Sequence, residues 1–304
     1  MSHMEIVAIC VCTHQRPGML TRCLRSLAEL NRHSYWKFVF IIVDNETLPN
    51  NRTIVNEFER TVNYTVKYVH QPRRGISVAR NAALEMALEQ KADWICFFDD
   101  DQYVDKNAVV AAYLVAQDTR AQIVFMRLFY LVQDKLIQNM VNPTVNFGQG
   151  GGCLLDTSLI KSSGLALRFD EEFGLGGGED GAFFSLARSL GVTSANAHNA
   201  IVYEERVMAK TTHKMQLYAA YCGAADAYKL NTRTGHINFQ LPWTIFRKLT
   251  SIIEIPFLLL YFFISPALFY SRSYKIAYRF SQACGYIAGI LKLNPEYYKK
   301  TQGY

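Results

Sequence analysis

Two groups of acidic residues stand where the chain could carry out chemistry. Asp99–Asp101 end the apolar run Trp94–Phe98, and Glu179–Asp180 follow three consecutive glycines. Carboxylates crowded together repel each other unless a cation lies between them, and their oxygen atoms suit Mg²⁺ or Mn²⁺. A diphosphate leaving group needs such a cation. The pattern therefore predicts a metal-assisted transfer site, and the alternative for the first group is an N-cap cluster before a helix at Lys106–Ala116.

The elements that must position these acids alternate along the first half of the chain. Alternating strands and helices predict an α/β fold with a mostly parallel sheet and helices on both faces, whose carboxyl edge binds ligands. Two glycine-rich stretches after Asn142 are predicted to be a lid or ordinary loops. The predicted strands are Ile6–Cys12, Lys37–Val43, Thr65–Val69, Trp94–Phe98, Gln122–Tyr130 and Ala200–Glu204. The predicted helices are Met19–Leu30, Thr53–Arg60, Ile76–Gln90, Lys106–Gln117 and Lys214–Leu230, with one near Ser158 and one that follows Glu179–Asp180 and runs through Leu190.

Four further side chains near strand ends are candidates for binding a nucleotide. In the turn after the first strand, Thr13 is placed to hydrogen-bond a base or ribose and Arg16 a phosphate, unless this is a plain strand-to-helix turn. Asp44 ends the second strand, where an acid reads a base or ribose, or else caps a loop with Asn45. Arg80, one turn into a helix, either reaches the diphosphate or holds the acids, unless it is a surface residue.

Length and composition limit the classes of function. A chain of 304 residues, half of them hydrophobic, buries a large core, which excludes disorder. The net charge of +6 is modest, and no basic run is interleaved with stacking aromatics, which argues against nucleic acid as a partner. The seven scattered cysteines are typical of reduced, buried thiols in a cytosolic protein. The first apolar stretch is too short for a secretory signal.

The chain from Thr244 onward differs from the rest. Ile252–Tyr270 is almost wholly apolar, contains Pro256 and Pro266, and has Lys and Arg on both sides. Its uninterrupted part, Ile255–Ile264, is short for a membrane span, and prolines kink helices. The pattern favours a helix, hairpin or re-entrant segment at an anionic membrane surface. A single tilted span and a buried contact in a homo-oligomer are the alternatives.

Seven short motifs occur along the chain in an order that is typical of one protein family. Together they resemble family 2 glycosyltransferases with the GT-A fold, and in particular the bacterial exopolysaccharide branch that includes succinoglycan glucosyltransferases. Each motif alone is weak, but their order and spacing are specific, and the resemblance covers about residues 4–225. The motifs are Cys12–Pro17, Val43–Asn45, Gly75–Asn81, Phe98–Asp101, Arg168–Asp170, Gly177–Asp180 and Val202–Glu204.

The resemblance implies a donor site for a nucleoside-diphosphate sugar, expected to be UDP-linked. Carried over by position, Asp44 would contact the uridine, and Asp99 and Asp101 would form the Asp-X-Asp motif. Asp101 would ligate the Mg²⁺ or Mn²⁺ that bridges the diphosphate, and Asp99 would serve the ribose or the metal. Because three acids follow one another, the register is open by one residue, which keeps Asp100 among the donor-binding candidates.

The resemblance also implies an inverting reaction. Asp180 would be the general base that deprotonates the acceptor hydroxyl, and Glu179 would shape the acceptor pocket. Inversion is one in-line displacement, which needs a base opposite the leaving group and an electrophile that stabilises that group. The two acidic groups supply both functions. A third metal ligand stays open, with His198 and His213 as candidates beyond the base.

These inferences combine into one expected function. Residues 1–232 are predicted to form the GT-A domain and residues 233–304 a helical, apolar and basic membrane-associating region. The enzyme is expected to act on a lipid-linked saccharide acceptor at the cytoplasmic face of the plasma membrane, as a peripheral or monotopic protein. The alternatives are a transferase for a soluble or protein acceptor and a non-catalytic nucleotide-sugar-binding subunit of a polysaccharide assembly complex.

Overall fold

The computed structural model describes residues 4–31, 33–132, 135–136, 151–173, 177–205, 212–233 and 265–293, with single positions 246, 250 and 295. The apolar run 252–264 and most of the two glycine-rich stretches lie outside these residues. Two compact units can be distinguished, and the second consists of residues 208–301 together with residues 175–178. That division falls before the boundary predicted at residue 232, and the predicted domains stay a prediction.

The first unit alternates strands and helices as expected. Buried apolar runs form its central strands, and helices with one apolar face connect them. The elements are β1 (Glu5–Thr13), α1 (Pro17–Ala28), β2 (Trp36–Asp44), α2 (Arg52–Thr61), β3 (Thr65–His70), α3 (Ile76–Glu89), β4 (Trp94–Asp99), β5 (Gln102–Val104), α4 (Ala108–Thr119), β6 (Ile123–Val132), β7 (Lys135–Leu136), β8 (Cys153–Asp156), α5 (Glu179–Ser189) and β9 (Ser194–Glu205).

One sheet runs through this unit in the order β3-β2-β1-β4-β8-β6-β9-β5, with β7 paired to β6. The pairs β3–β2, β2–β1, β1–β4 and β6–β9 are parallel and hold most of the paired residues. The antiparallel strand β8 lies between β4 and β6, and β5 runs antiparallel on β9. The predicted α/β class with a mostly parallel sheet is thus confirmed.

Both faces of the sheet are buried, because each strand sends alternate side chains to opposite sides. In β1, Val7, Ile9 and Val11 join the core under α1, α2 and α4, whereas Ala8 and Cys10 join the core under α3 and α5. This double burial explains why the strands read as continuous apolar runs. It also rigidly fixes the strand ends, from which the acidic residues project.

The structure adds local detail that the sequence did not show. The chain between Asp101 and α4 contains the short strand β5, which was missed because three residues are too few to show a period. The helix expected near Ser158 is a single 3₁₀ turn, Thr157–Leu159. Strand β9 is longer than predicted, since its first half is polar and a bulge opposite Met126 and Arg127 breaks its alternation.

The second unit contains two described long helices, α6 (His213–Arg233) and α7 (Pro266–Ile290). They pack closely, as the surroundings of Gly285 show. A Cβ added to this residue would lie 2.1 Å from the carbonyl oxygen of Tyr221. Only a glycine allows that approach. Of the helices within the described ranges, none combines the length and apolar character that crossing a bilayer requires.

Candidate active site

Three neighbouring strands end together at the carboxyl edge of the sheet. In the register of the strands, Thr13 at the end of β1 pairs with Asp44 at the end of β2, and Cys12 pairs with Asp99 at the end of β4. This is the edge at which open α/β sheets bind ligands. The predicted convergence of these side chains therefore follows from the parallel register.

Arg16 and the acidic turn after β4 form a buried group of ion pairs. The Nη1 atom of Arg16 lies 3.1 Å from Oδ1 of Asp100 and 3.2 Å from Oδ2 of Asp101. The hydroxyl of Thr13 donates to Oδ2 of Asp100 at 2.8 Å. Thr13 and Arg16 thus fix the acidic turn, and their predicted contacts with a base, ribose or phosphate stay predictions.

The three acids of this turn differ in exposure. Burial raises the pKa of Asp100 to about 6, although the Arg16 guanidinium opposes the rise. The side chain of Asp99 is 37% exposed, whereas those of Asp100 and Asp101 are nearly covered. Asp99 is therefore the acid of the triplet that is most open to a ligand.

Arg80 joins the two acidic groups that the sequence singled out. Its buried guanidinium donates from Nη2 to Oδ1 of Asp99 at 3.1 Å, and from Nη1 to Oε1 of Glu179 at 2.9 Å and to Oδ1 of Asp180. The ring of Phe169 lies 5.4 Å from its Cζ, a cation–π contact. Holding the acids, one of the two roles predicted for Arg80, matches these contacts.

Glu179 and Asp180 occupy the first turn of α5, where free backbone N–H groups favour negative charge. The Glu179 side chain is 2% exposed and that of Asp180 is 20% exposed. Burial and then the nearby Asp180 raise the pKa of Glu179 to about 8, with Arg80 acting in the opposite direction. Asp180 is therefore the more accessible acid of the pair, whereas Glu179 is buried.

A second feature of Glu179 concerns its outer oxygen. Its Oε2 atom is buried and makes no hydrogen bond with any residue that the structure describes. A buried acceptor without a donor is costly, but a protonated carboxyl carries less charge into the interior. This agrees with the raised pKa.

Asp44 is completely buried and already hydrogen-bonded. Its Oδ2 accepts from the backbone N–H of Asn51 at 2.9 Å and from the hydroxyl of Tyr68 at 2.6 Å, and its Oδ1 accepts from the Asn51 amide at 3.1 Å. These bonds cap the loop that leads into α2, which was the alternative role for Asp44. Contact with uridine stays a prediction and would require the groups that cover Asp44 to move, since the residue is completely buried.

Asn45 has a larger structural role than the loop cap expected from the sequence. Its amide donates to the carbonyl oxygens of Gln71 and Arg73 at 2.7 and 2.8 Å, and its Oδ1 accepts from the N–H of Gly75 at 2.9 Å. Asn45 therefore ties the end of β2 to the start of α3, which carries Arg80. Its position directly after a strand-end Asp was the available signal.

Gly151 and Gln102 also support the site and were not predicted. The Oε1 of Gln102 accepts from the backbone N–H of Asp99 at 3.1 Å. A Cβ on Gly151 would lie 2.4 Å from Oδ2 of Asp99 and 2.5 Å from Nε2 of Gln102. A side chain at this position would therefore push the Asp99 carboxylate and the Gln102 amide aside, whereas glycine lets the chain pass close to them. The three consecutive glycines at positions 150–152 were the sequence signal for this close approach.

The donor atoms at this edge fit a divalent cation that arrives with a diphosphate. Among the described residues, no three His, Cys, Asp or Glu side chains converge to enclose a metal ion. His198 is exposed on β9, and His213 packs against tyrosine rings in the second unit. Mg²⁺ is commonly held by one or two carboxylates with substrate phosphates and water completing its shell. Asp99 and Asp101 would supply those carboxylates.

Comparison with known families assigns the class. Residues 8–171, more than half of the chain, match the family model described as glycosyl transferase family 2. The chain therefore belongs to that family. The matched segment contains Thr13, Asp44, Arg80 and the triplet Asp99–Asp101, and it ends before Glu179.

One curated relative lies in the exopolysaccharide branch that the motifs resemble. The succinoglycan biosynthesis protein ExoM of Rhizobium meliloti (strain 1021) is 28% identical to this chain over 219 residues. The match covers 65% of this chain and 66% of the relative, so this chain spans just under two thirds of the relative's length.

Solved structures share the fold across nearly the whole chain. S. aureus TarS 1–349 in complex with UDP-GlcNAc is 18% identical with a TM-score of 0.54, over 92% of this chain and 90% of that one. The mannosyltransferase PcManGT from Pyrobaculum calidifontis, in complex with GDP-Man and Mn²⁺, is 13% identical with a TM-score of 0.65, over 94% and 87% of the two chains. At such identities these likenesses establish the fold, and the predicted GT-A class is confirmed.

Proposed function

We propose that this glycosyltransferase inverts the anomeric centre while it moves a sugar from a UDP-sugar to a hydroxyl of a saccharide acceptor. The acceptor is a saccharide carried on a polyprenyl diphosphate, and the pathway builds a surface polysaccharide. Two relatives support the proposal. ExoM is named for succinoglycan biosynthesis, and a TarS structure contains UDP-GlcNAc.

The relationship of Asp99, Arg80 and Asp180 carries this proposal. One guanidinium contacts Asp99 through Nη2 and Asp180 through Nη1, so a candidate donor-side acid and the candidate base are held by the same group. Inversion needs two such groups, one at the leaving diphosphate and a base at the incoming hydroxyl, which stand on opposite faces of the sugar carbon. Asp99 and Asp101 serve the donor side, and Asp180 serves the acceptor side.

The reaction is a single displacement. The acceptor oxygen forms a bond to C1 of the donor sugar, its proton goes to the carboxylate of Asp180, and the bond between C1 and the diphosphate oxygen breaks. The electron pair of that bond leaves with the nucleoside diphosphate. A positioned carboxylate base contributes roughly 10²- to 10⁴-fold to such a step. Arg80 holds Asp180 in place until the proton arrives.

A divalent cation, Mg²⁺ or Mn²⁺, belongs to the donor side of the proposal. When bound, it would neutralise charge on the diphosphate. Asp101 and Asp99 would hold the cation. Thr13 and Arg16 hold the neighbouring Asp100 in place. The Mn²⁺ in the PcManGT structure is consistent with this proposal.

The membrane surface is proposed as the place of action because the acceptor's polyprenyl chain stays in the bilayer. The end of α7 supports this. Ile290, Leu291 and Leu293 are 45%, 62% and 54% exposed, and they flank the exposed Lys292. Exposed aliphatic side chains next to a basic residue are typical of binding to an anionic lipid surface. The face concerned would be the cytoplasmic one.

The central experiment measures release of nucleoside diphosphate from a panel of donors. UDP-glucose, UDP-galactose, UDP-GlcNAc and GDP-mannose are supplied with Mn²⁺ or Mg²⁺, and the metal is then removed with EDTA. We expect EDTA-sensitive release from one UDP-sugar, stimulated by a polyprenyl-diphosphate-linked saccharide more than by the same saccharide free. Absence of metal-dependent release from every donor would refute the proposal. Stimulation by the free saccharide alone would favour a soluble acceptor.

The mechanism is tested with Asp180→Asn and a matched control. The variant is expected to release nucleotide roughly 10²- to 10⁴-fold more slowly, because the amide cannot take the proton. Glu171→Gln removes an acid from an exposed ion pair with Arg73 and should keep full activity. Equal rates in Asp180→Asn and the wild type would remove Asp180 from the role of base. NMR of the product's anomeric centre tests inversion.

A further inference from the structure

We propose that Arg80 is a positioning residue that couples the proton transfer at Asp180 to the departure of the nucleoside diphosphate. Its guanidinium is shared between the base and the donor side, and it shifts its hydrogen bonding from Asp180 to the diphosphate side as Asp180 is neutralised. This inference rests on the proposed function and extends it. It concerns what links the two ends of the displacement.

The first argument is the geometry of the shared cation. Nη1 of Arg80 serves Asp180 and Glu179, and Nη2 serves Asp99. The Arg80 side chain is only 4% exposed, so water screens these contacts little. Arginine stays charged at every accessible pH. Its single positive charge must therefore be divided among the acids around it.

The second argument is the change of charge during the reaction. When Asp180 accepts the acceptor's proton, it loses its negative charge, and at the same moment negative charge develops on the departing diphosphate. Arg80 contacts acids on both the acceptor side and the donor side of the reaction. The positive charge of Arg80, which stabilised the Asp180 carboxylate, then stabilises the negative charge that develops on the diphosphate, on the side of Asp99. No additional charge has to enter the buried site.

The third argument is the support around Arg80. Glu179 accepts a hydrogen bond from Nη1 at 2.9 Å, and the ring of Phe169 makes a cation–π contact with Cζ. These two contacts do not involve Asp180, so they hold Arg80 in position when the Asp180 contact weakens. A guanidinium held in this way needs only a small movement to transfer its hydrogen bond.

The test uses binding rather than turnover. Asp180→Asn imitates the neutral state that Asp180 reaches after it takes the proton, and it releases Arg80 towards the donor side. We expect the Kd for UDP, measured by calorimetry, to fall about fivefold or more relative to the wild type, a size usual for coupled sites. The Kd for the UDP-sugar should change less, because its diphosphate carries less charge. Glu171→Gln controls for loss of a negative charge elsewhere.

A second background isolates the part played by Arg80. In Arg80→Lys the positive charge remains, but the rigid fork in which Nη1 serves Asp180 and Nη2 serves Asp99 is replaced by a single nitrogen. Adding Asp180→Asn to this variant should change the Kd for UDP by twofold at most. Circular dichroism checks that each variant is folded. If Arg80→Lys is unfolded, Arg80→Gln takes its place with the same expectation.

The outcomes separate the coupling from the proposed function. If the wild type binds neither UDP nor GDP, the proposed function fails and the coupling fails with it. If the wild type binds UDP but Asp180→Asn binds it equally or more weakly, the coupling alone is overturned. A gain of the same size in the Arg80→Lys background would assign the effect to the field of Asp180 and would also overturn the coupling.

Discussion

Nη1 of Arg80 donates a buried hydrogen bond to Oε1 of Glu179 at 2.9 Å, although the two residues are 99 positions apart in the chain. Their side chains are 4% and 2% exposed. The pair links the start of α3 to the start of α5, and through Arg80 it reaches Asp99 at the end of β4. Both acidic groups of the site therefore depend on one guanidinium.

Glu179→Gln is expected to flatten the dependence of stability on pH. In the folded protein the pKa of Glu179 is about 8, raised from 4.5 by burial, so the folded state binds its proton more tightly than the unfolded state. Stability from this group is present at low pH and is lost as pH rises towards 8. The variant should remove at least about 1.4 kcal/mol of that loss, the value of one pKa unit.

The measurement is urea unfolding of the wild type and Glu179→Gln between pH 5 and pH 8.5. Glu171→Gln, at an exposed acid, should follow the wild-type curve. A wild type whose free energy of unfolding falls with pH as little as that of the Glu179 variant would show that Glu179 is ionised throughout.

Gly151→Ala is expected to impair donor binding and transfer. The added methyl would lie 2.4 Å from Oδ2 of Asp99, so the carboxylate or the backbone must move. A displacement of about 1 Å at a reacting site can lower the rate about 100-fold. Gly18→Ala is the control, since nothing lies within 4 Å of its added methyl. Nucleotide release at saturating metal measures both, and equal rates would mean that Asp99 tolerates the shift.

Thr13→Val is expected to destabilise the acidic turn. The valine keeps the shape of threonine but leaves Oδ2 of the buried Asp100 without its 2.8 Å hydrogen bond. The cost of such a loss is about 1–3 kcal/mol. In contrast, Thr21→Val removes an exposed bond to the carbonyl oxygen of Pro17 and should cost well under 1 kcal/mol. Thermal or chemical unfolding compares the two, and similar values would contradict the role given to Thr13.

Replacing Leu291 and Leu293 with Glu is expected to weaken binding to vesicles that contain anionic lipid, by about tenfold or more, because exposed apolar area is lost and negative charge is added. Leu48→Glu, at a residue 70% exposed in the first unit, is the control. Sedimentation with vesicles of phosphatidylglycerol and phosphatidylcholine gives the bound fraction. Unchanged binding of the double variant would exclude the end of α7 from the contact.

The order of the elements could be read from the sequence because each buried strand is a continuous apolar run. That pattern also located the acids of the triplet at the end of β4, whereas the base candidate Asp180 was singled out by the glycines before it and by the family resemblance. The same reasoning missed β5, which is too short to show a period, and it could not see that β8 runs antiparallel between β4 and β6. Pairing between distant strands depends on contacts that no local pattern encodes.

The sequence by itself determined the α/β architecture, the edge at which the acids gather and the family to which the chain belongs. These depend on local periodicity and on motifs in a fixed order. Only the tertiary structure decided what Asp44 and Arg80 contact: Asp44 accepts hydrogen bonds from Asn51 and Tyr68, and Arg80 donates to both Asp99 and Glu179. The reason is physical, since a side chain's partners are set by the burial and packing of segments far apart in the chain.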